Sequence, residues 1–272
     1  MSKHPRQTVT MAQRADRYAL YQKTVQEPEH EVDFFDRVYR SFFSRTPRIL
    51  REDFCGTFAV CCAWARKPGR IALGVDLDPE PLAWGRQHNL AKLPPSAQKR
   101  VKLFQQDVRT VNRPQAHVLA AQNFSFWIFT TRDELRRYFR IAHQNLSRQG
   151  LMVLDMMGGP ECLKEGHKDI RPYGRFDYIW EQTRIDPITH LGRWYIHFRF
   201  KDGSRLRRAF EYHWRFWTIP EVREVLAEAG FSQSHVYWEG ADPKTGEGDG
   251  VWRRRTSAPH DPSWIAYIVA EK

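Results

Sequence analysis

Apolar residues recur along this 272-residue chain in two alternating rhythms. Residues 11–26 place Ala15, Tyr18 and Ala19 on one side of a helix, Glu27-Pro-Glu interrupts, and residues 29–43 carry Val32, Phe35, Val38, Tyr39 and Phe42 at three- and four-residue steps. From residue 48 onward, short apolar runs alternate with helical patterns. Strands are expected at 48–52, 71–75, 101–105, 116–121 and 151–155, with helices at 58–66, 78–91 and 131–146 between them. Asp78-Pro79 offers a capping side chain followed by proline at the first helical position, and Thr131-Arg-Asp-Glu134 has capping-box spacing. Five apolar strands separated by helices predict an α/β fold, a doubly wound sheet covered on both faces.

After Gly158-Gly-Pro160 the rhythm becomes alternating and aromatic. Segments 176–184, 193–201 and 204–214 read as an antiparallel β meander inserted at about 160–216, with turns at Asp186-Pro187 and Lys201-Asp-Gly-Ser204. A helix at 220–229 closes on Gly230, and strands at 233–238 and 264–270 complete a seven-stranded sheet. Residues 240–262, rich in glycine, proline and charge, are expected to be a long mobile loop, and residues 1–10 a loose arm. Within that loop, Trp252-Arg-Arg-Arg255 is either a solvated charge run or a flap that contacts phosphate. The division expected is an N-terminal arm and helical lid at 1–44 and one α/β domain at 45–272.

Composition narrows the function classes. Forty-three basic against 32 acidic side chains give a net charge of +11, which favours an anionic partner such as RNA or a phosphorylated metabolite. Aromatics at 14%, with ten tryptophans, exceed what core filling alone calls for and suggest a ring-lined pocket. The four cysteines have no paired metal-ligand spacing, so reduced thiols and no metal site are expected. Without an apolar signal core or a run of membrane-spanning length, the expectation is a soluble, cytoplasmic protein with no membrane partner. Oligomeric state is not legible.

The chemistry gathers at Arg48-Ile-Leu-Arg-Glu-Asp-Phe-Cys-Gly-Thr-Phe-Ala59 and Gly74-Val-Asp-Leu-Asp-Pro-Glu80. A strand, a tight turn and a helix start let backbone approach a ligand, and Asp76, twenty residues beyond Gly56, stands where a carboxylate meets ribose hydroxyls. The turn Glu52-Asp-Phe-Cys-Gly-Thr57 resembles the first motif of class I S-adenosylmethionine-dependent methyltransferases. In particular it is similar to a bacterial group with an Arg-Glu-Asp-Phe-Cys-Gly-Thr segment, from about residue 17 to the C-terminus. The departure is Phe58, where that family has glycine or another small residue and a ring could crowd the methionine end of the cofactor.

The resemblance implies a Rossmann-like methyltransferase sheet and S-adenosyl-L-methionine as cofactor, with S-adenosyl-L-homocysteine as product. It implies that Glu52, Cys55, Gly56, Thr57, Asp76 and Leu77 line the ribose and methionine end. Asp107 would take the adenine amine, the Val108 amide a ring nitrogen, and Asn123 and Phe124 the methionine end beside the methyl group. Tyr21, Trp127, Tyr195, Arg199 and Trp217 are candidates for the acceptor side, and His197 and His213 for a base. The Asn123-Phe-Ser-Phe126 segment is not the Asn/Asp-Pro-Pro-Tyr/Phe motif of amino-group nucleic-acid methyltransferases. Three readings follow: methyl transfer to oxygen or nitrogen of a small molecule, methylation of tRNA or rRNA, or an inactive binding module closed by Phe58.

Overall fold

The computed structural model describes residues 9–112, 114–241 and 248–272. The first expected helix divides into α1 (Met11–Arg14) and α2 (Arg17–Val25), because the Asp16 side chain accepts from the Tyr18 and Ala19 amides and starts a new helix there. Helix α3 (Pro28–Phe43) follows, with proline in its first turn. Of the loose arm expected at 1–10, residues 1–8 lie outside the described residues.

Strand and helix then alternate through β1 (Ile49–Asp53), α4 (Ala59–Arg66), β2 (Ile71–Asp76), α5 (Pro79–His88), a short α6 (Pro95–Gln98), β3 (Val101–Gln105), β4 (Ala116–Ala121), α7 (Arg132–Asn145) and β5 (Leu146–Gly158). Next come the meander strands β6 (Lys168–Pro172), β7 (Phe176–Gln182), β8 (Leu191–Phe200) and β9 (Arg205–Arg215), then α8 (Ile219–Glu228), β10 (Gln233–Ala241), β11 (Gly248–Arg255) and β12 (Trp264–Glu271). The large sheet has the order β11-β10-β12-β5-β4-β1-β2-β3; β1 to β5 pair in parallel, and β12, β10 and β11 are added to β5 by antiparallel pairing.

Side chains alternate across this sheet, so one face feeds each core. Leu50, Ala72, Val118, Val153 and Val269 pack under α3, α4 and α5, and Leu119, Met152, Leu154 and Ile268 under α7 and α8. The meander forms a separate four-stranded sheet in chain order. Phe198 and its neighbours there pack beneath α2.

Two expectations are corrected. The sheet has eight strands, not seven, because part of the segment read as a loop at 240–262 pairs with β10 as β11. Trp252 anchors that strand: its ring meets Tyr267 edge-on at 4.5 Å and its Nε1 donates to His30 Nε2 at 3.0 Å. Arg253, Arg254 and Arg255 then charge an exposed edge, which hinders pairing with another chain. Residues 242–247 of that loop lie outside the described residues. The meander also has a fourth strand, β6, a short, polar edge strand ending in proline.

An ion pair beneath the sheet's carboxyl end ties several of these pieces together. Arg51 and Asp53, at 1% and 0% side-chain exposure, meet at 2.6 Å. The guanidinium also donates to the Val108 and Val111 carbonyls, each at 2.6 Å, and the Tyr138 hydroxyl of α7 donates to the other Asp53 oxygen at 3.0 Å. Replacing Arg51 with methionine would strand the Asp53 charge in the core. The variant is expected to lose about 3–5 kcal/mol of stability in chemical denaturation, and Asp53→Asn in the same chain should recover part of it.

Candidate functional site

The carboxyl ends of β1, β2, β4 and β5 lie side by side, with Asp53 paired to Val75 and Ala121 to Leu154. Beyond β1 the chain turns through Phe54, Gly56 and Phe58, all at positive φ (58°, 52° and 46°). A Cβ on Gly56 would meet nothing within 4 Å, so this side of the turn is open for a ligand to approach the backbone. The twenty-residue interval closes directly: the Gly56 amide donates to Asp76 Oδ2 at 2.7 Å, and the Asp78 amide to Oδ1 at 2.9 Å. Each oxygen keeps a lone pair for a hydroxyl donor. Burial raises the Asp76 pKa while these amides hold it down. Beside it Leu77 stands 68% exposed, an apolar side chain with no protein cover.

Phe58 does not point into this opening. Its ring is fully buried and lies against Gly85 of α5, where a Cβ would come within 2.5 Å of the ring and 2.4 Å of the Thr57 carbonyl oxygen. Glycine at 85 therefore lets α5 close over the ring, and the left-handed backbone at Phe58 turns the side chain into the core. Cys55 and Glu52 are buried beneath the turn. Glu52 Oε2 accepts from the Cys61 amide at 3.0 Å, and burial pushes its carboxyl up to about 7. Thr57 Oγ1 accepts from Gln22 Nε2 of α2 at 2.8 Å.

Helix α2 crosses above the turn. The Trp84 Nε1 donates to Asp16 at 2.6 Å, Arg17 pairs with Glu80 at 2.7 Å, and Tyr18 and Tyr21 rest on Phe210 of β9. At the edge of the opening Asp107 is held by Arg109, whose hydrogen bonds lower its pKa, and buried Val108 is fastened through its carbonyl to Arg51.

Past β4, Asn123 and Phe124 both sit at φ 57°, and their amides donate to the two oxygens of Asp155, each at 2.9 Å. Burial pushes Asp155 up to about 6 against the pull of those amides. Four non-glycine residues in the left-handed region, Phe54, Phe58, Asn123 and Phe124, thus cluster at adjoining strand ends. Such strain persists where the surroundings over-determine it, and it gathers at ligand sites.

Behind Asn123 and Asp155 opens a cavity of about 800 Å³. Tyr21, Gln26 and Glu31 line it from the N-terminal helices, Tyr178, Trp180, Tyr212 and Trp214 from the meander, and Trp252 and Tyr267 from the sheet edge. Glu31 and Asp155 escaped the sequence reading, although each carried a signal. Glu31 falls three and four residues before Phe34 and Phe35 on the apolar face of α3, and Asp155 interrupts an otherwise apolar run from Leu151 to Met157.

The structure brings only part of the expected acceptor set here. Tyr21 lines the cavity. Trp127 is buried among Trp194, Trp214 and Phe216, and Trp217 is buried with its Nε1 donating to the Phe129 carbonyl. Because Ile196 of β8 faces the cavity, its neighbours Tyr195 and His197, and Arg199 beyond, project from the opposite face. There Arg199 pairs with Asp177 and His197 lies 3.2 Å from Glu181. His213 faces outward beside Glu211, between the cavity-lining Tyr212 and Trp214.

No family model matches the chain, and no curated protein sequence does. Solved structures do resemble it. The DesVI protein of Streptomyces venezuelae superposes with a TM-score of 0.67 at 19% identity, over 95% of this chain and 98% of that one. An S-adenosylmethionine-dependent methyltransferase from Clostridium acetobutylicum gives 0.66 at 16% identity, over 93% and 96%. An S-adenosylmethionine-bound amino pentose methyltransferase from Micromonospora echinaspora gives 0.65 at 20% identity, over 94% and 96%. At such identities likeness speaks to architecture: the chain has the fold of the class I S-adenosylmethionine-dependent methyltransferases.

Proposed function

We propose that this protein transfers a methyl group from S-adenosylmethionine to nitrogen or oxygen of a small-molecule acceptor. The observation that carries this reading is Asp76. Its carboxylate is fixed by the Gly56 and Asp78 amides, keeps a free lone pair on each oxygen, and stands beside an uncovered Leu77 in the motif turn of this fold. Asp76 would accept the ribose hydroxyls, Leu77 and Val108 would border the adenine, Asp107 would accept from its amine, and Asn123 and Phe124 would border the methionine end. The amino pentose methyltransferase among the structural neighbours supports a small-molecule acceptor. With the Phe58 ring in the core, the blocked-site alternative loses its physical basis.

S-adenosylmethionine supplies a methyl group already activated by a sulfonium. The protein's part is then alignment and exclusion of water. The helices within residues 9–44 would act as the lid, fastened by Gln22 to Thr57, Asp16 to Trp84 and Arg17 to Glu80. The meander would roof the acceptor. Calorimetric titration is expected to give roughly micromolar affinity for S-adenosylmethionine and S-adenosylhomocysteine, falling at least about tenfold in Asp76→Ala. No binding of either ligand, or equal binding by the variant, would contradict the assignment.

Glu52 and Asp155 predict a pH signature in the ligand-free protein. Their ordinary values of 4.5 and 3.8 rise to about 7 and about 6 through burial. The folded chain therefore holds protons at these two groups that the unfolded chain has released across about pH 4 to 7, and their contribution to stability falls as pH rises through that window. Burial depresses His117, His143 and His197, which act in the opposite direction, so substitution isolates the effect. The thermal midpoint of Glu52→Gln should gain on that of the parent chain between pH 5 and pH 8. A difference that does not change with pH would contradict the burial of the Glu52 charge.

A further inference from the structure

The cavity has a chemistry opposite to that of the chain as a whole. The protein carries +11, yet Glu27, Glu31, Asp155, Glu161, Asp169 and Glu239 line this space. Of its lysines and arginines, Arg171 is paired with Asp169 at 2.7 Å and Lys168 with Glu181 at 3.2 Å. That leaves Lys23 as the one without an ion pair among the described residues.

Two of the wall's acceptors lack partners. Glu31 Oε2 and Gln26 Oε1 are both buried and have no hydrogen-bond donor among the described residues, and Glu31 as a whole is 6% exposed. His30, whose Nε2 accepts from Trp252, donates to neither atom. An unsatisfied buried acceptor is costly, and an unpaired buried carboxylate more so. Both deficits are met by one kind of ligand, a cation with several N–H donors. Tyr21, Tyr178, Trp180, Tyr212 and Trp214 share the same walls, and rings of these types attract a cation.

We propose that the acceptor is a small primary or secondary amine, seated as its ammonium on Glu31 Oε2 and Gln26 Oε1, with Glu31 taking the proton that frees its lone pair. This rests on the methyl-transfer reading for the donor, while its evidence lies in the cavity. The ammonium gives one proton to the Glu31 carboxylate, leaving a neutral amine and a neutral acid. The nitrogen lone pair then bonds to the donor methyl as the methyl–sulfur bond breaks and its electron pair passes to sulfur. The sulfonium charge is thereby transferred to nitrogen, the methylated product leaves as an ammonium, and Glu31 returns its proton to solvent. Burial, with Glu52 and Asp155 nearby, holds the Glu31 carboxyl well above the ordinary range, which suits it to accept that proton. A neutral alcohol matches the hydrogen bonds but carries no proton acidic enough for Glu31 to take.

The test titrates the protein loaded with S-adenosylhomocysteine against matched amine and alcohol pairs, phenethylamine with 2-phenylethanol and glucosamine with glucose, read by intrinsic tryptophan fluorescence and saturation-transfer NMR. In at least one pair the amine should bind about tenfold or more tightly than its alcohol. Glu31→Gln, which keeps the side chain's shape, should reduce that preference to under about threefold, with S-adenosylhomocysteine affinity unchanged. No amine preference in any pair, including no binding by either member, overturns the proposal, as does a preference undiminished in Glu31→Gln. If S-adenosylhomocysteine itself fails to bind, the donor reading fails. The same pairs on the unloaded protein then decide the amine site separately, by the same criteria.

Discussion

The arrangement hangs on a guanidinium buried in the middle of a strand. Burying the charge of Arg51 is tolerable only with partners, and Nε, Nη1 and Nη2 find them in Asp53 and the Val111 and Val108 carbonyls. That requirement fixes where β1 ends, draws in the loop that carries Asp107, and through Asp53 engages Tyr138 of α7. Across the turn Asp76 does the matching work, gathering the Gly56 and Asp78 amides. The opening between β1 and β2 is therefore held from both sides by carboxylates whose positions the fold dictates.

Around that frame the protein keeps groups that are unfavourable in isolation. Phe54, Phe58, Asn123 and Phe124 occupy left-handed backbone, and Glu31, Glu52 and Asp155 are carboxyls whose charged forms burial disfavours. They fall along one arc from the end of β1 to the end of β5. The strain at Asn123 and Phe124 has a visible counterpart, since only that conformation presents both amides to Asp155. A ligand bearing positive charge, as proposed for the cavity, would offset the buried carboxyls of Glu31 and Asp155.

Much of this was legible in the sequence because local rules agreed with one another. The limits of β3 and β4 follow from apolar runs, α7 from its capping box, and the placing of Asp76 at the end of β2 near the Gly56 turn from their spacing. What escaped depended on contacts between distant segments. β11 is a strand because Trp252 reaches Tyr267 and His30, which no local pattern in a charged, glycine-rich stretch discloses. Phe58 looked like an obstruction because its residue type was visible and its backbone conformation was not. Trp127 and Trp217 looked like pocket rings and are core, while Glu31 looked like an ordinary helix carboxylate until α3 packed it against the cavity. Net charge did not disclose the cavity's character, since the chain carries +11 while carboxylates outnumber lysines and arginines in the cavity wall.

The central claim is that the ends of β1, β2 and β4 hold the donor with its reactive end opening onto the acidic cavity. A crystal structure with S-adenosylhomocysteine bound tests it most directly. The account predicts ribose hydroxyls on Asp76, adenine beside Leu77 with its amine at Asp107, and the sulfur at Asn123–Phe124 facing Glu31. A nucleoside lodged in the acidic cavity, or density away from Asp76 altogether, would contradict it.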